Sequence, residues 1–253
     1  MEEHSLWIDE QVNRIFGPLV APLKNWLCST IYGLFGKHYV PAEKVIPEHI
    51  IFALIVFIFC CVFFPLVRRS FSMERPGKIQ QLLEVCIEFL NAQLEEIIGH
   101  GGKQYLPMVA TIGTFILFMN LMGLIPGFMP PTSRINVTAG CALVVFIYYH
   151  YLGIKKQGAL KYLKHFVGPI PWLFFLMVPV EIISHLARPF SLSVRLFANI
   201  YGEELIIVVF FSLLPLLLPL PIMALAIFTS FLQAFIFMVL TMIYIAGAVA
   251  EEH

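Results

Sequence analysis

Residues 181–204 read EIISHLARPFSLSVRLFANIYGEE. They lie in one long apolar stretch, Gly168–Leu214, and hold Glu181, Arg188, Arg195, Glu203 and Glu204, with His185 among them. Residues 205–250 hold no formal charge at all. An arginine at mid-bilayer depth costs roughly 2.5–3.5 kcal/mol even on the lenient insertion scale. Charges so placed must face protein or water, not lipid. Advancing about 100° per residue puts Glu181, Ser184, His185, Arg188, Ser191, Arg195, Asn199 and Glu203 on one face about 120° wide, with Glu204 off that face. Pro189 sits inside the run and should bend it.

The rest of the chain explains why a bilayer is the reference. Of 253 residues, 59% are hydrophobic and 13% charged, against about half and about a quarter in a soluble domain. That balance excludes a disordered chain, a nucleic-acid-binding module and an ordinary soluble enzyme. The 16 basic and 16 acidic residues cancel, so net charge carries no message about partners. Five cysteines show neither CxxC spacing nor histidine clustering and read as unpaired packing thiols. No metal-ligand or phosphate-loop spacing appears, so no metal or other cofactor is expected.

A span needs about 20 mostly apolar residues. Five stretches qualify, at about 50–67, 105–129, 138–154, 169–214 and 222–250. The fourth, taken from Gly168 as one helix, would be about 70 Å long, more than twice the hydrocarbon thickness. Either it crosses twice or it lies strongly slanted. With the fifth, also over-long, it suggests a tilted hairpin turning at Pro215–Pro221. Residues 78–98 carry apolar side chains at helical spacing, from Ile79 and Leu82 to Leu94 and Ile98. Glu84, Glu88, Glu95 and Glu96 interrupt them, which predicts an amphipathic helix lying at the interface. Residues 1–47 mix tryptophan, charge and proline and read as an external, interfacial segment. Residues 48–253 then form a single transmembrane domain. The expected class is an all-α polytopic membrane protein with about five crossings.

The connections hold five basic residues (68–104), one (130–137), four (155–167) and none (215–221). The positive-inside rule therefore puts the N-terminus outside and the C-terminus in the cytoplasm.

The fifth span has a quieter polar line through Thr229, Gln233 and Tyr244. Two helices with facing polar lines can enclose a wet path. Carboxylates can take up and release protons near neutral pH when partly buried. Arginine stays charged. Acid, arginine and acid in succession suit stepwise proton movement with a fixed positive barrier between two titratable ends.

These residues resemble a known family. Ser191–Leu205, SLSVRLFANIYGEEL, and Leu232–Tyr244, LQAFIFMVLTMIY, are similar to the signatures of the a subunits of F-type ATP synthases. Asn120–Pro126, NLMGLIP, matches the family's second-span motif, and the ending EEH resembles bacterial members. The likeness runs from about residue 48 to the end. It implies a stator subunit, not an enzyme on its own, with two offset half-channels passing protons to and from a rotating c-ring. Arg195 would be the essential arginine facing the ring carboxylate. Asn199 and Gln233 would be polar residues around it, and Glu204 the outer half-channel acid. Glu181 would be the cytoplasmic half-channel acid, with Arg188 in the same region. The helical wheel favours Glu203 where the resemblance favours Glu204, and both stand as candidates. Ser191, His185 and Tyr244 complete the expected path, although His185 also reads as packing, as do His49 and His150 at span ends. The implied partners are c-ring subunits, the b-subunit peripheral stalk and the remaining synthase subunits in a lipid bilayer, with no nucleic acid. The implied place is the bacterial cytoplasmic (inner) membrane. The chain departs from the family pattern at Ala226, where some members carry histidine, at Glu203, where many carry glycine, and at Gly123, where others carry aspartate. A free-standing ion carrier would need inverted repeats, and none is visible. A quinone-binding subunit would call for acidic loops around an aromatic pocket, whereas these loops are basic.

Overall fold

A computed structural model describes residues 7–34, 46–69, 71–72, 76–99, 101–125, 128–158, 162, 174–213 and 219–249. These form seven α-helices: α1 Trp7–Leu34, α2 Glu48–Arg69, α3 Lys78–Ile98, α4 Leu106–Met122, α5 Ile135–Gln157, α6 Phe174–Leu213 and α7 Pro219–Val249. Short 3-10 turns at Gly102–Tyr105 and Pro131–Ser133 lead into α4 and α5. Five helical segments are long and apolar enough to cross a membrane: Glu48–Arg69, Gly102–Met122, Ile135–Gln157, Met177–Leu213 and Pro219–Val249. The all-helical membrane architecture expected from the sequence is therefore the one observed.

Residues 169–173, 214–218 and 250 of the expected spans and their turn, and most of the connection 155–167, lie outside the described residues. One difference is informative. The helix of the second span, α4, stops at Met122 instead of running on to 129. Gly123 there packs against the Pro130 ring, and the chain turns back through Pro131 into α5. Proline cannot continue a helix ladder, and it biases the residue before it away from helix. The fourth stretch is one helix, α6, with Pro179 and Pro189 inside it. Forty residues at about 1.5 Å each make about 60 Å, so α6 must lie slanted in the bilayer.

The core lies where α4, α5, α6 and α7 meet. Val109, Ile116 and Met119 from α4 join Val145 and Tyr149 from α5, Leu192 and Leu196 from α6, and Phe237, Met242 and Ile245 from α7. All are essentially without solvent contact. Close approach of α4 and α7 depends on Gly113, where an added Cβ would collide with the Met238 thioether. Elsewhere the helices leave large apolar side chains bare, among them Leu54, Phe57 and Ile58 on α2 and Ile183, Leu186 and Phe190 on α6. A soluble protein rarely exposes so much apolar area, and lipid or a partner chain must cover it.

The amphipathic α3 docks Leu90 and Leu94 onto the core and leaves Ile79, Leu82, Val85 and Phe89 outward. Gln80 fastens its start, accepting from the Ser72 amide at 2.9 Å and donating to the Ser72 carbonyl at 3.1 Å. At the other end of the bundle's sequence, Asn13 on α1 holds the entry to α2. It donates to the Ile46 carbonyl at 3.0 Å and accepts from the Ile46 amide at 2.8 Å. Two side chains fix a common end for α5 and α7: Lys156 donates to the Val249 carbonyl at 3.2 Å and Gln157 to the Ala248 carbonyl at 3.1 Å. They satisfy carbonyls that the last turn of a helix leaves without intrahelical donors.

Candidate functional site

The polar side chains of α6 sort into three levels. The first is near its start, at the end of the bundle where Lys155 and Lys156 close α5. Here His185 is buried between three helices. Its Nε2 lies 3.2 Å from Glu181 Oε1 and its Nδ1 lies 3.3 Å from the Tyr149 hydroxyl on α5. Arg188, half-buried, lies over the Tyr244 ring of α7 at 5.6 Å, a cation–π contact. The His150 ring packs edge-on to His185 at 5.1 Å, and its Nδ1 donates to the Phe146 carbonyl at 2.9 Å. Tyr162 closes the cluster, buried, 5.9 Å from His150; burial pushes its phenol above the ordinary value.

The second level is the middle of α6. Arg195 projects from an exposed flank, with Ser191 and Asn199 one turn to either side, also exposed. Asn199 Nδ2 donates to Gln233 Oε1 on α7 at 2.9 Å. Gln233 itself is buried, which ties the exposed flank to the core. Among the described residues no carboxylate pairs with Arg195. A guanidinium so placed, on a helix apolar and long enough to cross a bilayer, must face water or protein and not lipid.

The third level is a cavity of about 210 Å³ between the far half of α6, the end of α4 and the start of α7. Glu203 and Glu204 both line it, with Asn120, Gly123, Ala226 and Ser230. Water occupies about 30 Å³ per molecule in the liquid, so there is room for several. Asn120 accepts from the Thr132 hydroxyl at 2.7 Å through its carbonyl oxygen, while its buried amide nitrogen has no partner among the described residues. Thr229 lies beside Glu203.

The structure thus brings Glu181, His185, Arg188 and Tyr244 together, groups Arg195 with Asn199, Gln233 and Ser191, and places Glu203 and Glu204 in one cavity. Consecutive helical residues are about 100° apart. Because the cavity is a wedge open over a wide arc of α6, both acids reach it, and the wheel and the family signature each identify a lining residue. The sequence reading missed Tyr149, and it took His150 for packing at a span end. The run Tyr148-Tyr149-His150-Tyr151, polar-tipped rings one turn before Lys155, was the available signal. Asn120 was visible only as part of a motif. The departures at Gly123 and Ala226 both open onto the cavity that Glu203 enters.

Along α6, Arg195 is about 21 Å from Glu181 and about 12 Å from Glu203 at helical rise. The arrangement is a buried polar cluster around Glu181 and His185 and an acid-lined cavity at Glu203 and Glu204, with a permanent cation between them along α6. Both hold proton donors and acceptors, and among the described residues no nucleophile–base pair or nucleotide cradle accompanies them.

The family described as ATP synthase A chain matches residues 50–246. An ATP synthase subunit a from Solibacter usitatus is 49% identical over 225 residues, 89% of this chain and 96% of that protein. One from Syntrophotalea carbinolica is 51% identical over 188 residues, covering 74% and 80%. One from Geobacter sulfurreducens is 48% identical over 196 residues, covering 78% and 85%.

Proposed function

The chain belongs to the ATP synthase A chain family, and from that premise we propose how its three polar levels move protons. It is a multi-pass membrane component of the proton-transporting ATP synthase and makes no ATP on its own. The Glu181 recess opens to the cytoplasm and the Glu203/Glu204 cavity to the outside. This orientation follows the basic ends, Arg68-Arg69 and Lys155-Lys156, that share the inner face. The N-terminus and α1 lie outside, and the C-terminus lies inside.

In the synthesis direction a proton enters the outer cavity and reaches Glu204 or Glu203. It passes to a carboxylate on the rotating c-ring. That ring carboxylate leaves in neutral form through lipid, where a charge would be prohibitive. After nearly a full turn it meets the inner recess, releases its proton past Glu181 and His185, and returns as an anion to Arg195. The guanidinium stays protonated at any accessible pH, so it cannot pass a proton through itself. It attracts the anion electrostatically and blocks a direct leak between the recesses. Asn199 and Gln233 hold the flank of α6 against α7 at the height of Arg195. One charge crossing 100 mV releases about 2.3 kcal/mol, so several protons must cross for each ATP.

The partners are the c-ring against the Arg195 flank, the b-subunit stalk and the other synthase subunits. The membrane is a bacterial cytoplasmic membrane. The observation that carries the reading is the placing of Arg195, without a paired carboxylate among the described residues, between the Glu181 cluster and the Glu203/Glu204 cavity. Its test is Arg195→Ala in inverted membrane vesicles. ATP synthesis driven by an imposed proton gradient should fall to background while subunit composition is unchanged. Synthesis retained at a tenth or more of the normal rate would overturn it.

A further inference from the structure

We propose that Tyr149 is a positioning residue of the inner proton path, holding His185 in the tautomer that offers a neutral N–H to Glu181. The inference rests on the proton-path reading above. Two contacts fix the direction of the chain. Glu181 Oε1 lies 3.2 Å from His185 Nε2, and an ionised carboxylate can only accept, so Nε2 carries the hydrogen. The phenol proton then points to the free acceptor, His185 Nδ1, 3.3 Å away. A ring that accepts at Nδ1 carries its hydrogen on Nε2, which faces Glu181 Oε1 at 3.2 Å. Neutral imidazole has one donor and one acceptor nitrogen, so both bonds are satisfied in only this arrangement while Glu181 is ionised.

Charged and titratable groups face His185 from its own helix and from α5. Glu181 and Arg188 come from its own helix, Tyr149 and His150 from α5, and Tyr244 sits beyond Tyr149 on α7 at 6.0 Å between ring centres. Arg188 is a fixed cation and Glu181 the one carboxylate in contact among the described residues, so a second cation on the imidazole would leave this group of side chains with net positive charge. Should the ring take a proton at Nδ1, it becomes an imidazolium 3.2 Å from Glu181 and clamps that carboxylate in an ion pair. A clamped carboxylate neither receives nor passes a proton. Tyr149, by occupying Nδ1 as a donor, opposes that state. Its side chain is 1% exposed, so its own proton has no ready exit to solvent, which argues for positioning and not for relay.

The test uses inverted vesicles carrying the complete synthase, in which the outer solution bathes the cytoplasmic face. ATP-driven proton pumping is followed against external pH, and detergent-uncoupled ATP hydrolysis in the same vesicles corrects for the catalytic head. Tyr149→Phe keeps the ring and removes the donor. Its acid-side half-inhibition point should move up by about half to one pH unit, the worth of one hydrogen bond. His185→Gln keeps a donor toward Glu181 and cannot titrate, so its acid limb should flatten. A Tyr149→Phe profile that superimposes on the parent, or a His185→Gln profile with the limb intact, overturns the proposal. So does failure of both variants to assemble, which would assign the pair a structural role only. Transport lost at every pH in Arg195→Ala bears on the proton-path reading and not on Tyr149, so the two can fail separately.

Discussion

Asn199 Nδ2 on α6 donates to Gln233 Oε1 on α7 across 2.9 Å, one helical turn beyond Arg195. The bond crosses from an exposed flank to a buried amide, so it sets both the rotation of α6 about its axis and the height at which Arg195 leaves the helix. Interhelical bonds of this kind average only about 0.6 kcal/mol in membranes, so stability is not their main effect. Asn199→Ala and Gln233→Ala should each lower gradient-driven ATP synthesis severalfold with assembly intact. The double variant should be no worse than the worse single, because the two residues act as one unit. Rates that simply multiply would show that the pair does not position Arg195.

The cavity between α4, α6 and α7 holds two acids where the helical wheel left one off the polar face. If either can take up the entering proton, Glu203→Gln and Glu204→Gln should each leave measurable synthesis. The double variant should fall at least about tenfold below the product of the two single effects. The measurement is initial synthesis rate after an acid–base jump. A single substitution as damaging as the pair would assign uptake to that residue alone.

The bundle was legible because five apolar runs bounded by arginine, lysine and proline admit few alternatives. Arg195 was legible because a charge in such a run has no structural excuse. What the sequence hid depended on depth and on neighbouring helices. The end of α4 at Met122 is set by Pro130 folding back on Gly123, a contact between residues that an apolar run does not reveal. Tyr149 looked like one aromatic among many, and its role appears only when α5 brings its hydroxyl to His185. The Glu203/Glu204 question persisted because a one-helix wheel has no knowledge of the cavity shared with α4 and α7.

The orientation rests on basic residues at one end of the bundle and makes a direct prediction. In a background lacking the five native cysteines, Arg134→Cys should react with a membrane-impermeant maleimide added to intact cells. Gly158→Cys should react only after permeabilisation, since the helix between them, Ile135–Gln157, spans the bilayer. The reverse pattern would invert every assignment of inner and outer recess while leaving the fold untouched.

Ala226 tests whether the outer cavity is a conduit or an accident of packing. It is 3% exposed on α7 and faces the same space as Asn120, Gly123 and both glutamates. Ala226→Phe would push an aromatic ring into the cavity, which its small lining residues keep open. Overpacking costs about 1–3 kcal/mol, which a bundle of this size can absorb, so the complex should still assemble. Proton entry from outside should fall about tenfold or more, and synthesis with it. Ala226→Ser, which keeps the space and adds a hydroxyl, should stay near the parent rate. The contrast between the two separates loss of room from loss of folding. Equal rates in the two variants, with the phenylalanine seated in the cavity, would show that protons reach the ring carboxylate by another route.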